Sequence, residues 1–224
     1  MGRPAAPTFA EMKAVLQKHQ IERLQGTYSD LIDNARWKDL AEFFFTDLYV
    51  VGDLAERNES FLRLYRHFER IFDTVFLRGI KSLIEFYFLS DTLDDDVTRL
   101  LLAMDTGFKL SRDRYERAYR YADNYDDRVK QIAYVEQTLT FVHSMSQRRI
   151  VGFLISTMQA TARLIGATAM VDFLDRGYVA FRTVPDITYF INTIATRERE
   201  RLDRIWKEYP PDPKYVRTAT GSGD

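Results

Sequence analysis

Apolar residues recur at helical spacing along most of this 224-residue chain. The clearest stretch runs from Leu54 to Val75, where apolar side chains return after three, four or seven residues, as on one face of a helix. The chain contains only 10 Gly and 6 Pro, so few residues interrupt such patterns. The spacing predicts an all-α fold, a single compact domain of about eight or nine helices over 9–208.

The ends of the chain and of its helices have their own signals. Thr8 and Glu11 have the spacing of a capping box, which predicts a helix from Phe9 to about Asn34. Thr92 is expected to cap another helix, with Asp94 and the two acids after it favouring the first turn of that helix. We expect a flexible N-terminus over 1–8 and a disordered tail over 209–224, because the prolines after Tyr209 cannot continue a helix.

Composition excludes several classes of function. The chain has no Cys and 3 His, which excludes disulfides, thiolate catalysis and Cys-ligated metal centres. The formal net charge of -1 gives no global positive field, so we expect no nucleic-acid partner. Ile150–Ile165 is apolar but interrupted by Gln159 and Arg163, and we predict a core helix there, no membrane span and a cytoplasmic protein. The sequence leaves the identity of any cofactor unknown.

Three adjacent Phe residues exceed what one buried helix stripe needs. They begin the run Phe43-Phe44-Phe45-Thr46-Asp47-Leu48-Tyr49, which is followed by Gly52-Asp53-Leu54 and Arg57-Asn58. This run resembles the motif of the FFLEELY-motif proteins, an uncharacterised group of small bacterial helical proteins, with Phe45, Thr46 and Asp47 in place of Leu and two Glu. Weaker similarities follow at 128–132, at Phe173-Leu174-Asp175-Arg176-Gly177 and at Arg197-Glu198. The resemblance implies a helical fold and no particular activity.

Glu198 falls near the middle of the apolar stripe of the last predicted helix, where an aliphatic residue is expected. An inward carboxylate needs a partner, and we predict a buried ion pair with Arg128 or Arg57. Two hypotheses compete for this cluster. It could be an anion or substrate site with Glu198 as a base, or an internal polar network that fixes helix register. His143 could share a patch with Glu136, or hydrogen-bond to a neighbour at the edge of the core.

Two further patterns suggest chemistry. The segments Phe88–Asp96 and Asn192–Glu200 resemble halves of the diphosphate-binding apparatus of class I terpene synthases, which would imply a magnesium site. The acids stand in a different order, however, and Thr193 replaces an Asp. The helix after Ser111 alternates Tyr and Arg residues, and we interpret it as a solvated helix with cation–π contacts or a protein-binding face.

Aromatic residues make up 14% of the chain, and any surplus over the core must line a pocket or an interface. We therefore predict a non-catalytic binding or scaffolding module that forms a homodimer and holds an apolar small molecule or a protein partner. The alternative is an enzyme with a buried Glu/Arg site, of which the terpene-synthase-like magnesium site is the least favoured form. The candidate site residues are Phe43, Phe44, Phe45, Tyr49, Arg57, Arg128, His143 and Glu198.

Overall fold

A computed structural model describes residues 6–47, 74–162 and 168–215 of the chain. These residues form helices and no strand, so the all-α prediction is confirmed. The helices are α1 (Phe9–Thr27), α2 (Ser29–Ile32), α3 (Lys38–Glu42), a π-helical segment (Phe43–Asp47), α4 (Thr74–Ala103), α5 (Arg112–Tyr121), α6 (Tyr125–Ser146), α7 (Arg149–Ala162), α8 (Thr168–Arg182) and α9 (Thr188–Glu208). None of these helices is long and apolar enough to cross a membrane. The predicted helix from Leu54 lies mostly outside the described residues.

Helix starts follow their sequence signals. The Thr8 amide donates to the Glu11 carboxylate at 2.8 Å, and the Glu11 amide donates to the Thr8 hydroxyl at 3.3 Å, so the capping box forms. The Ser111 hydroxyl caps α5 by accepting from the Arg114 amide. The end of the first helix was predicted less well, because α1 stops at Thr27 and α2 is separate. Gly26 and Thr27 are both weak helix formers, which is consistent with the earlier stop.

The predicted helix start at Thr92 is wrong, because α4 runs unbroken from Thr74 to Ala103. The acids after Thr92 therefore do not stabilise a helix N-terminus. Asp95 pairs with Lys13 at 2.7 Å, Asp94 accepts a hydrogen bond from Gln20 at 2.8 Å, and Asp96 pairs with Arg99. Asp94 and Asp95 thus join α4 to α1, which a local pattern does not reveal, whereas the Asp96–Arg99 pair lies within α4.

The chain divides into two compact units. Unit 1 contains the described residues within Met1–Arg23, Ile84–Val135 and Thr193–Asp224. Its core is built from one face each of α1, α4, α5 and α9. The fully buried members include Met12, Leu16, Val97, Leu100, Leu101, Tyr115, Leu202 and Ile205.

Unit 2 contains the described residues within Leu24–Leu83 and Glu136–Asn192. Its buried part includes aromatic side chains from Tyr28 after α1, from Trp37 just before α3, from the π-helical segment, from α8 and from the start of α9. A smaller apolar cluster joins α7 to α8 through Ile155 and Val171. Gly152 of α7 allows this packing, because a Cβ there would lie 2.5 Å from the Tyr178 hydroxyl.

Candidate functional site

Charged and amide side chains of α1 and α4 meet in unit 1, and one arginine of α6 lies with them. We call this set the polar layer, and its members are Lys13, Gln20, Asp91, Asp94, Asp95 and Arg128. The Lys13 ammonium lies 2.6 Å from the Asp91 carboxylate and 2.7 Å from that of Asp95. Burial opposes the charge of Lys13, but its two carboxylate partners outweigh burial and raise the pKa of the ammonium. Lys13 therefore joins α1 to α4 through two ion pairs.

Asp94 is the acid of the polar layer that accepts a hydrogen bond from a neutral amide, the side chain of Gln20. Burial raises its pKa above the usual aspartate value, although the charge of Arg128 and the hydrogen bond from Gln20 oppose the rise. Burial likewise raises the pKa of Asp96 against the charge of Arg99. These two acids thus bear a desolvation cost in the folded protein.

Arg128 is 2% exposed and has two types of partner. Its guanidinium donates to the Leu93 carbonyl at 3.1 Å and to the Gln131 side chain at 3.2 Å. It also lies 4.1 Å from the ring centroid of Tyr119, and Arg201 lies 4.8 Å from the same ring. The predicted cation–π contacts are present, but α5 is not a solvated helix, because Tyr115 and Tyr119 are buried.

Among the described residues, Glu198 pairs with Arg23, which the sequence pattern did not single out. A guanidinium nitrogen of Arg23 hydrogen-bonds directly to the Glu198 carboxylate, and both side chains are about four-fifths buried. The predicted Arg128–Glu198 pair does not form, since the guanidinium of Arg128 is engaged with Leu93, Gln131 and Tyr119. Arg57, the other predicted partner, lies outside the described residues. Helical projection placed Glu198 inward correctly but could not rank distant arginines.

Glu116 is a buried carboxylate that the sequence pattern did not single out either. It is 4% exposed and accepts hydrogen bonds from Arg204 at 2.5 Å and from Arg112 at 3.1 Å. Burial alone would raise the pKa of Glu116, but the hydrogen bonds from Arg204 and Arg112 outweigh burial and lower it. The arrangement is that of a structural ion pair.

The Phe run is a core element of unit 2. Phe43, Phe44 and Phe45 are each at most 7% exposed, although they are consecutive. Phe45 stacks on Tyr28 at 4.4 Å, Phe44 contacts Phe190 edge-on, and Phe43 packs against Phe173 and Phe181. Three adjacent rings can all be buried because packing partners surround this segment on several sides. Tyr49 lies outside the described residues.

Phe43 approaches α8 closely because residue 177 is a glycine. A Cβ at Gly177 would lie 2.7 Å from the tip of the Phe43 ring, nearer than side chains normally pack. Phe43 also contacts Phe173, one turn earlier on α8. Two segments quoted for the family resemblance, the Phe run and Phe173–Gly177, therefore meet in unit 2.

His143 has a structural role in unit 2. Its Nε2 atom lies 2.8 Å from the Val184 carbonyl oxygen, which ties α6 to the loop before α9. The interpretation of His143 as a hydrogen-bonded residue at the edge of the core is confirmed. Among the described residues, no contact joins it to Phe43.

A groove of about 790 Å³ opens beside the Phe run in unit 2. Its apolar surface comes from Ile32, Phe43, Val179 and Ala180. Its polar surface comes from Gln25, Ser29, Asp33, Asp39, Glu42, Asp175 and Arg176. Of the predicted site residues, Phe43 alone is among those described as lining the groove. The structure thus separates the described members of the predicted set: Phe43 lines the groove, Phe44 and Phe45 are core rings, His143 hydrogen-bonds within unit 2, and Arg128 and Glu198 belong to unit 1.

The groove acids carried little signal in the sequence. Asp33, Asp39 and Glu42 sit around the short helices α2 and α3, where acidic residues look like ordinary turn and capping residues. Asp175 and Arg176 did carry a signal, since they belong to the quoted segment 173–177. Within the described ranges, no group of three or more His, Asp or Glu side chains could hold a metal ion.

A family model covers nearly the whole chain, matching residues 2–212. The chain belongs to the family described as Domain of unknown function (DUF8198). No curated protein and no solved structure matches the chain. The function of this DUF8198 protein must therefore be argued from its own residues.

Proposed function

We propose that this DUF8198 protein is a non-catalytic binding module whose ligand site is the groove of unit 2. The observation that carries the proposal is the groove's size and lining. Its volume of about 790 Å³ falls in the range of small-molecule sites, which combine an apolar surface with a few polar groups. The described lining contains no histidine, cysteine or lysine, and the Ser29 hydroxyl donates to the Gly26 carbonyl oxygen and not to a carboxylate, so no described nucleophile of the groove is paired with a base.

The polar groups elsewhere support a binding module over an enzyme. Glu198, the base of the alternative hypothesis, is bonded to Arg23, and Arg128 is bonded to a backbone carbonyl. Arg23 and Arg128 therefore act as hydrogen-bond donors to protein groups within unit 1. Structural ion-pair networks of this kind need no substrate. We accordingly favour the register-fixing hypothesis for these residues.

The proposal is tested by filling the groove. Titration with 1-octanol, a neutral apolar probe, should shift the methyl NMR signals of Ile32, Val179 and Ala180. Val179→Trp places a large side chain at an exposed groove position and should abolish these shifts. Thr157→Trp is the control, because Thr157 is exposed on α7 and outside the groove lining. Octanol shifts confined to other parts of the protein would contradict the proposal.

Self-association is the second part of the proposal. It is supported by Ile150 and Phe153 of α7, which are 52% and 67% exposed. A native mass spectrum should give the mass of a dimer, and Phe153→Ser should shift the sample toward monomer. Phe108→Ser is the matched control, since Phe108 is 52% exposed in unit 1. A monomeric wild-type protein would refute this part alone.

A further inference from the structure

We infer that the groove of unit 2 takes an organic cation with an apolar body, of the class of amphiphilic amines and quaternary ammonium compounds. The inference rests on the proposed function and adds the charge of the ligand. Among the described residues, the groove is lined by four carboxylates, those of Asp33, Asp39, Glu42 and Asp175, and by one guanidinium, that of Arg176. A concave site lined mainly by one sign of charge concentrates ligands of the opposite sign.

Three of these carboxylates have no counter-ion among the described residues. Within those ranges, Asp33, Asp39 and Asp175 form no ion pair. Glu42 reaches Lys38 only at 4.0 Å, and both side chains are more than half exposed. In unit 1, by contrast, Asp91, Asp95 and Glu116 all have cationic partners. The described part of the groove therefore retains negative charge that the protein does not neutralise there.

Helix geometry does not account for these acids. Asp39 lies in the first turn of α3, where an acid is favourable. Asp33, however, follows the C-terminal end of α2, where the helix dipole favours a cation. Asp175 stands in the middle of α8, away from either end. Acids from three elements face one groove without a shared local cause, which favours a role toward a ligand.

The apolar part of the groove indicates that the ligand carries an apolar body beside its cationic group. Ile32, Phe43, Val179 and Ala180 offer aliphatic and aromatic surface beside the carboxylates. A small hydrated metal ion would leave that surface unused, whereas an alkyl or aryl ammonium would cover it. The volume of about 790 Å³ suits a ligand of small-molecule size. Both features favour an amphiphilic organic cation.

The test compares three probes that share one alkyl chain: octyltrimethylammonium, 1-octanol and octanoate. Each is titrated into the full-length protein and followed by the methyl NMR signals of Ile32, Val179 and Ala180. Octyltrimethylammonium should bind about tenfold more tightly than 1-octanol and octanoate least, since each exposed charge contact adds a modest amount. Of the three affinities, only that of octyltrimethylammonium should fall when salt is added.

Two double variants test whether the groove acids cause the preference for the cationic probe. Asp39→Asn with Asp175→Asn should remove most of the advantage of the cation while leaving 1-octanol binding within about twofold. Asp126→Asn with Asp127→Asn removes the same charge from unit 1, at residues that are not among the described groove lining, and should leave all three affinities unchanged. Equal binding of the three probes would overturn the cation inference and preserve the groove as a site. Absence of groove shifts with every probe would overturn both.

Discussion

The two units stabilise their helices by different means. In unit 1, several partly buried charges form ion pairs between helices, as Lys13 does with Asp91 and Asp95, and as Glu116 does with Arg204. In unit 2, rings from the Phe run pack on rings of α8 and α9, while three groove acids, Asp33, Asp39 and Asp175, have no counter-ion among the described residues. The contrast teaches that the paired charges of unit 1 hold its helices together, whereas the groove acids of unit 2 that lack a described counter-ion remain able to bind a ligand. Substitutions in the two units should therefore have different effects.

The largest effect should come from the aromatic core of unit 2. Phe45 is fully buried and stacks on Tyr28, so Phe45→Ala should lower the free energy of unfolding by about 3–5 kcal/mol. Urea denaturation measures the change. Phe108→Ala removes a ring that is 52% exposed and lies outside the proposed dimer surface, and it should cost less than about 0.5 kcal/mol. A similar loss in both variants would mean that the Phe run does not hold unit 2 together.

The buried acid of unit 1 should give the next largest effect. Glu116→Gln removes the charge that Arg204 and Arg112 contact and should lower the free energy of unfolding by about 2 kcal/mol. Asp113→Asn is the control, because the Asp113–Arg117 pair is roughly half exposed and worth about 0.5 kcal/mol or less. Equal losses would show that burial does not distinguish these pairs.

The pH dependence of this loss has a defined sign. Because the pKa of Glu116 is lowered in the folded protein, its contribution is fully present above the unfolded pKa of about 4.3 and disappears as pH falls through the folded value. The stability difference between wild type and Glu116→Gln should therefore shrink in acid. A difference that stays constant down to the acid transition would contradict the assigned ion pair.

Asp94 should behave in the opposite way. Its pKa is raised by burial, so its contribution is present below the unfolded pKa of about 3.9 and is lost as pH rises through the folded value. Asp94→Asn should consequently be more stable than wild type at neutral pH, by about 1 kcal/mol or less, and the gain should vanish in acid. Thermal unfolding at several pH values checks this. A less stable variant at neutral pH would show that attraction to Arg128 outweighs desolvation.

The same residues show where sequence information ends. Spacing predicted the all-α class, and short-range chemistry predicted the capping box of Thr8 and Glu11, because the box depends on neighbours within four residues. The helix start at Thr92 failed because Asp94 and Asp95 are held by Gln20 and Lys13, which lie over seventy residues away. Glu198 was placed inward by its own helix, but choosing Arg23 over Arg128 required the packing of two other helices.

The sequence predicted only part of the groove, because its patterns report local features and not long-range contacts. Phe43 and the segment 173–177 stood out as unusual, yet nothing local states that Gly177 lets the Phe43 ring lie against α8. The acids of α2 and α3 were indistinguishable from ordinary turn residues until Asp175 appeared beside them. A site built from several short elements depends on long-range contacts, which periodicity does not encode.

The smallest predicted effect on stability separates the two kinds of acid directly. Asp39→Asn with Asp175→Asn removes two groove charges that have no described ion-pair partner, so the free energy of unfolding should change by no more than about 0.5 kcal/mol. Urea denaturation of this double variant beside Glu116→Gln makes the comparison. A loss near that of Glu116→Gln would mean that the groove acids are structural, and the contrast between paired and available charge would then fail.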